Sequence, residues 1–328
     1  MINNNPLQQA LDLCRSEIEA VNRCIVENLQ SDIIMIPTIG QYIINSGGKR
    51  LRPLICLLVA KLFGYRGDRH IPLATVIEFI HTASLLHDDV VDASHQRRGA
   101  PSANGVWGNQ ASVLVGDYLF SRSFQMMVTG GDITMLKLMS DVTNALAEGE
   151  VLQLSRTFHL DMTEAECLEV IERKTAVLFK AAAEVGASCA DQSPEIVAQL
   201  AEYGMCLGVA FQLMDDALDY TSDAVTAGKP VGHDLEEGKI TLPLIVAMKS
   251  DEALRQRVRD IADHGGYRNE EDRDWIRQRV DRRQGAETTI LRASEYADRA
   301  AQAIGNSGDI EIRKLLIQLA EFAATRPY

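Results

Sequence analysis

The chain has 328 residues, 33 basic and 46 acidic, for a formal net charge of −13. That balance excludes non-specific nucleic-acid binding through a global positive field, so an anionic ligand must meet a local basic cluster or a metal ion. The length exceeds the usual single domain, but an uninterrupted helical array can close around one core, and one domain over 1–328 is expected.

The six cysteines (Cys14, Cys24, Cys56, Cys167, Cys189, Cys206) form no CxxC pair and no zinc-like spacing, and most sit in apolar helical context, as reduced core thiols do. The start, MINNNPLQQALDL, lacks a basic segment followed by an apolar stretch, and no run of about 18 apolar residues exists. A soluble, cytoplasmic protein without a transmembrane segment is the expectation.

Apolar residues recur at three- and four-residue spacing almost throughout, whereas alternating β-branched runs are scarce, so the chain reads as all-α. In chain order, helices are expected near 6–29, 32–46, 52–63, 71–92, 105–129, 132–155, 163–190, 194–219, 238–249, 251–263, 270–283, 286–304 and 308–325. Thr163 with Glu166 makes a capping box, and Ser193-Pro194 places a cap residue before proline at the first helical position. No linker, low-complexity tract or fixed-period repeat divides the chain; GYRGDRH (64–70) and HGGYRNEEDRD (264–274) read as surface loops.

One helix ends in TASLLHDDVVDASHQRRG (82–99), where Asp88, Asp89 and Asp92 form DDxxD. Positions i and i+4 share a face, so two carboxylates stack while the third flanks them. Three anions repel one another, and the C-terminal macrodipole adds to the cost unless a cation compensates. A solvated acidic helix end is the plain alternative for one copy, of which 24 aspartates produce about 0.13 by chance. A second copy, Asp215, Asp216 and Asp219 in FQLMDDALDY, again closes an apolar helix. Two independent copies arise by chance in about one such chain in a hundred. Oxygen ligands without His or Cys point to Mg²⁺, which completes its octahedron with water and substrate phosphate, and neither copy has the loop pattern of an EF-hand. Two such helix ends could bridge a diphosphate.

Bases lie near these motifs in sequence. Gly47-Gly48-Lys49-Arg50-Leu51-Arg52-Pro53 joins flexible glycines to three cations before a helix, a pattern suited to wrapping phosphate. Arg97 and Arg98 follow the first acidic motif, and Lys174-Thr175, Lys229 in AGKP and Lys239 in EGKITLPL add cations in apolar or glycine-rich settings.

GGKRLRP, LLHDDVVDxxxxRRG, GNxASVLVGDYL, a Lys-Thr pair, FQLMDDxLDY and GKPxGxDLxEGKxTLPLI stand in order over residues 40–250, and in these the chain resembles the trans-isoprenyl diphosphate synthase family, most closely its long-chain polyprenyl (octaprenyl-type) branch. The resemblance implies an all-α, single-domain bundle around a central cavity, usually homodimeric, that joins isopentenyl diphosphate to an allylic diphosphate such as farnesyl diphosphate with Mg²⁺. It implies Asp88, Asp92 and Asp215 as principal metal ligands, supported by Asp89, Asp216 and Asp219. It further assigns Lys49, Arg52, His81 and Arg98 to isopentenyl diphosphate, and Arg97, Lys174, Thr175, Gln212, Lys229 and Lys239 to the allylic diphosphate. Asp88, Asp89, Asp92, Arg97, Lys174, Asp215 and Lys229 are then the catalytic set. Breaking the allylic C–O bond places negative charge on oxygen, which Mg²⁺ and lysines stabilise, and the departing diphosphate is the candidate base for the final proton.

Product length is read from the helix preceding the first motif. Ala83 and Ser84 lie about one turn, roughly 5.4 Å, before Asp88, and both are small, so a growing tail could pass them toward Ile80 and Ile77. Each buried five-carbon unit gains roughly 4 kcal/mol at about 0.8 kcal/mol per CH₂, so elongation proceeds until a bulky side chain stops it; Phe124, Met127 and Met126 are the candidates. A terpene cyclase would carry a mixed Asp/Asn, Ser/Thr and Glu second motif instead of DDALD. A catalytically silent partner subunit would have lost an acidic or basic motif, and none is missing. A medium-chain (geranylgeranyl) synthase is the remaining alternative.

Overall fold

The computed structural model describes residues 5–45, 48–97, 99–130, 132–221 and 232–326. Its helices are α1 Pro6–Leu13, α2 Arg15–Asn28, α3 Met35–Asn45, α4 Leu51–Leu62, α5 His70–Val91, α6 Ala103–Trp107, α7 Asn109–Thr129, α8 Ile133–Ser155, α9 Glu164–Ile171, α10 Val177–Cys189, α11 Pro194–Thr221, α12 His233–Glu236, α13 Leu242–Met248, α14 Glu252–His264, α15 Glu270–Arg282, α16 Gly285–Ile304 and α17 Ile310–Thr325. A π-helical turn, Glu172–Ala176, joins α9 to α10. The expected all-α class is what the chain adopts. Gln96–Arg97 and Ala100–Pro101 make the one strand pair among the described residues, an antiparallel clip just past α5.

Four expected helices differ from those observed. The 6–29 helix is interrupted at Cys14, whose φ −105°, ψ 20° leaves the helical region. The 105–129 helix is cut at Gly108, where φ 85° and ψ 160° suit only a residue without Cβ. The 163–190 helix contains the π turn, and the 238–249 helix begins only at Leu242. The capping box at Thr163 is present: its hydroxyl accepts from Glu166 N–H, and the Glu166 carboxylate accepts from Thr163 N–H at 2.8 Å.

The chain divides into two compact units. The first comprises Met1–Thr143, Leu178–Gly204 and Ile304–Leu316, and the second Asn144–Val177, Met205–Ala303 and Ile317–Tyr328. In the first, α5 packs against α2, α4 and α7. It is apolar on nearly every side, burying Leu73, Val76, Ile77, Phe79, Ile80, Ala83 and Leu86. A helix covered all round in this way lies inside a core, where each buried aliphatic side chain contributes about 1.5–3 kcal/mol. α7 approaches closely because position 116 is glycine: a Cβ there would stand 2.3 Å from His87 Nε2. In the second unit α13 is the central short helix, packed on α9, α14 and α15.

All six cysteines are free thiols, and all but Cys24 are buried. α11 is long and apolar enough to cross a membrane by composition, although 56% of its most apolar window is buried within the protein, as in a core helix.

Candidate active site

The first acidic motif closes α5. Asp88 and Asp92 stack at i and i+4 and are half-buried, whereas Asp89 turns inward and is 1% exposed. Asp89 is held by Arg97 from the strand clip: Nε donates to both carboxylate oxygens at 2.9 and 3.0 Å, and Nη2 donates to Oδ1 at 2.7 Å. The Asn104 amide donates to the Asp89 carbonyl at 2.9 Å. Such a charge-assisted fork satisfies a buried carboxylate that would otherwise be costly, and it ties the chain beyond α5 back onto the helix. Arg98 lies outside the described residues.

In the same unit Arg52 Nη1 lies 3.1 Å from His81 Nε2, and its guanidinium sits 4.4 Å from the centroid of the Phe179 ring. Two residues expected to share one diphosphate are thus in contact, with the planar cation oriented by an aromatic face. Lys49 is exposed, while Arg50 turns away into the protein. Gly47 lies outside the described residues. Of the length-determining candidates, Ala83, Ile80 and Ile77 are fully buried on α5 and Met127 on α7. Ser84, Phe124 and Met126 are half-buried, and the Ser84 hydroxyl donates to the His81 carbonyl at 2.8 Å.

The second unit contains a cleft lined by, among others, Gln153, Arg156, Lys174, Thr175, Gln212, Asp216, Asp234 and Lys239. Five residues chosen from sequence therefore converge there: Lys174, Thr175, Gln212, Asp216 and Lys239. Lys174 and Thr175 stand on the π turn, a local distortion that re-aims side chains and recurs at functional sites. Gly149 allows α8 to lie against this turn, since a Cβ there would be 2.8 Å from Lys174 N. One turn of α8 then supplies Lys174's partners, Glu150 Oε2 at 2.5 Å and Gln153 Oε1 at 2.7 Å. Thr175 Oγ1 donates to Gln212 Oε1 at 3.0 Å, and Gln212 Nε2 donates to Asp216 Oδ1 at 2.8 Å. Lys239 Nζ meets Glu237 Oε2 at 2.5 Å. Despite burial, His233 and Lys239 hold the Glu237 carboxyl down at about 2.

Asp216 is 3% exposed. Burial is the main reason its pKa rises to about 7; Gln212 opposes the rise, and the Asp215 and Asp219 charges add to it. The same causes, burial first and then Asp219 and Asp216, push Asp234 well above the ordinary carboxylate range. Asp219 accepts from the backbone N–H groups of His233 (3.1 Å) and Asp234 (3.2 Å), fixing the start of α12. Asp215 accepts from Arg326 Nη2 at 2.5 Å; Arg326 also donates to the Phe211 carbonyl at 3.0 Å and stacks over the Phe211 ring at 3.6 Å. Lys229 lies outside the described residues.

These residues fit a hard divalent cation. The donors are carboxylate oxygens, and in the second cluster burial, then the Asp215 and Asp219 charges, raise the Asp216 pKa, while Lys239 offsets those charges only in part. Among the described residues no three His, Cys, Asp or Glu side chains already converge on one ion position.

Sequence reading missed Glu150, Gln153, Asp234, Glu237 and Arg326. Glu150 and Gln153 carried a usable clue, two polar groups at i, i+3 amid the apolar Val151, Leu152 and Leu154, and Asp234 and Glu237 lie inside the quoted GKPxGxDLxEGK pattern. Arg326 offered no local clue, since only the fold brings it to Asp215, 111 residues away.

Carboxylate triads, a cleft lined by lysines and an Arg–His pair on a helical framework are the groups that binding a diphosphate with a divalent cation calls for. The chain belongs to the polyprenyl synthetase family, whose sequence model matches residues 35–279. It is 44% identical to octaprenyl diphosphate synthase of Escherichia coli (strain K12), covering 98% of this chain and 99% of that one. It is 39% identical to the geranyl-diphosphate-specific all-trans-nonaprenyl-diphosphate synthase of Rhodobacter capsulatus, covering 97% and 98%. Its fold matches the crystal structure of a polyprenyl synthase from Caulobacter crescentus CB15 complexed with calcium and isoprenyl diphosphate, with a TM-score of 0.94, 40% identity and 98% of each chain covered.

Proposed function

We infer that this chain is a long-chain trans-polyprenyl diphosphate synthase: it condenses isopentenyl diphosphate with an allylic diphosphate such as farnesyl diphosphate to an all-trans product of the octaprenyl class. The observation that carries the reading is the cleft in which Lys174, Thr175, Gln212, Asp216 and Lys239 converge. Cations and amide donors there can receive an allylic diphosphate, and the apolar Met162, Val170 and Ile171 line the same cleft. Mg²⁺, when bound by Asp88, Asp92 and Asp215 with support from Asp89, Asp216 and Asp219, supplies Lewis-acid stabilisation to the leaving diphosphate. Lys174, Lys229 and Lys239 neutralise the charge that grows on the leaving oxygens, and Arg97 holds Asp89 in place. Lys49, Arg52, His81 and Arg98 hold isopentenyl diphosphate, whose double bond forms the new C–C bond while the departing diphosphate takes the proton. Ala83, Ser84, Ile80, Phe124 and Met127 govern tail length.

A single isoprenoid-synthase domain over 1–328, a homodimer, a cytoplasmic location and no nucleic-acid partner complete the proposal. A silent subunit is not favoured, because both acidic motifs and the cleft lysines are intact. Purified protein incubated with isopentenyl and farnesyl diphosphates and Mg²⁺ should yield products of about eight isoprene units on reversed-phase chromatography. No turnover with any allylic primer rejects the enzyme, and a twenty-carbon endpoint selects the medium-chain alternative.

A further inference from the structure

The three cations of GGKRLRP do not share one environment. Arg50 adopts φ 49° and ψ 36°, the left-handed region, at the N-cap of α4. Residues bearing a Cβ reach that region only at a conformational cost, which persists where the surroundings hold the backbone there. Here the side chain does the holding: Nη1 donates to Glu78 Oε1 at 2.8 Å and Nη2 to the Ile44 carbonyl at 2.6 Å. The Arg50 and Glu78 side chains are 13% and 6% exposed, so the guanidinium is spent inside the protein. The Arg50 carbonyl accepts the Leu54 N–H at 2.9 Å and so starts α4.

Glu78 and His81 stand at i, i+3 on α5, one above the other. The face of α5 that anchors Arg50 through Glu78 therefore also meets Arg52 through His81. We propose that Arg50 is a positioning residue, whose buried fork onto Glu78 fixes the left-handed turn that sets Lys49 and Arg52 for isopentenyl diphosphate. The inference rests on the reading of Lys49, Arg52 and His81 as that substrate's site. Lys49 flanks the turn in sequence, and Arg52 occupies the first turn of α4 that the N-cap orients. A slack turn would therefore disperse both cations without altering the groups that ionise the allylic substrate.

The test compares Arg50→Ala, Arg50→Gly and Glu78→Gln in the full-length enzyme, each checked for native helicity and unfolding temperature. Arg50→Ala should raise KM for isopentenyl diphosphate roughly tenfold, with kcat and the allylic KM within about twofold. Glycine takes φ 49° without strain, so Arg50→Gly should raise it only about threefold. Glu78→Gln should act in the same direction, and the Arg50→Ala/Glu78→Gln pair should be no worse than Arg50→Ala alone. Equal losses in the alanine and glycine variants with an unchanged Glu78→Gln would make Arg50 a direct phosphate ligand and overturn the proposal, as would an unchanged KM in Arg50→Ala. If Glu78→Gln does not fold, the alanine–glycine difference decides. Calorimetric binding of isopentenyl diphosphate ranks the variants independently, whereas absence of both binding and turnover in the unaltered enzyme rejects the underlying reading.

Discussion

Replacing Asp216 by asparagine separates the stability of the cleft from its function. Asp216 lies within the second acidic motif at 3% exposure, and its pKa is raised from 3.8 to about 7. A carboxyl whose folded value exceeds its unfolded one stabilises the fold when protonated. That contribution is complete below pH 3.8 and is lost as pH rises through about 7. At about 1.36 kcal/mol per pH unit, ionisation costs the folded protein up to about 4 kcal/mol across the full interval, and about 3 kcal/mol between pH 5 and pH 8. Asparagine keeps an acceptor for the Gln212 amide, 2.8 Å away in the parent, and cannot ionise. Thermal unfolding followed by circular dichroism in chelator should therefore show Asp216→Asn ahead of the parent by roughly 1–2 kcal/mol, or about 3 °C, at pH 5. At pH 8 the gap should widen to about 4 kcal/mol, or about 8 °C at about 2 °C per kcal/mol for a chain of this size. Mg²⁺ with inorganic pyrophosphate at pH 8 should close much of the gap by raising the parent. Identical unfolding temperatures for the two proteins at pH 8 would refute the electrostatic account of the cluster.

Lys174→Met should lower kcat about a hundredfold with little change in KM for isopentenyl diphosphate, measured by steady-state kinetics, because the ammonium acts on charge that develops at the allylic leaving group. Arg326→Ala should destabilise the protein by about 2–3 kcal/mol in denaturant titration, below the range for fully buried pairs because the Asp215 side chain is 46% exposed. Ala83→Tyr should shorten the product to roughly fifteen or twenty carbons and, since Ala83 is fully buried, lower stability by about 1–3 kcal/mol; unchanged product length with retained activity removes α5 from the tail's path. Chelator should abolish turnover, and added Mg²⁺ should restore it, in a product assay.

Much of this molecule was legible in its residue order, for reasons that differ by feature. Long amphipathic and apolar periods announced α5, α7, α8 and α11, because a helix buried on several sides needs apolar residues at nearly every turn. The Thr163 cap was legible because the motif is local. The break at Gly108 and the π turn at 172–176 were not, since both depend on how neighbours pack against otherwise helical sequence. Acidic triads and lysines stood out in the sequence by their chemistry, and Lys174, Thr175, Gln212 and Lys239 line one cleft. What sequence alone could not separate was the duty of like residues. Asp88 and Asp89 are adjacent, yet one is half-exposed and the other is locked to Arg97. Arg50 and Arg52 are two residues apart, yet one is buried in an ion pair and the other rests on an aromatic ring. Burial decides those assignments, and burial comes from distant segments.

The π turn makes the site vulnerable to a change of length as well as of composition. A segment closing i→i+5 hydrogen bonds holds one residue more than an α-helical turn requires. Deleting a single residue between 172 and 176 would let the helix relax into ordinary winding, swinging the lysine–threonine pair away from Glu150, Gln153 and Gln212 while leaving every remaining side chain in the chain's inventory. Homologues or designed variants with a one-residue gap at this point should therefore be read as having lost the pair's aim, even where an alignment restores both letters to their columns.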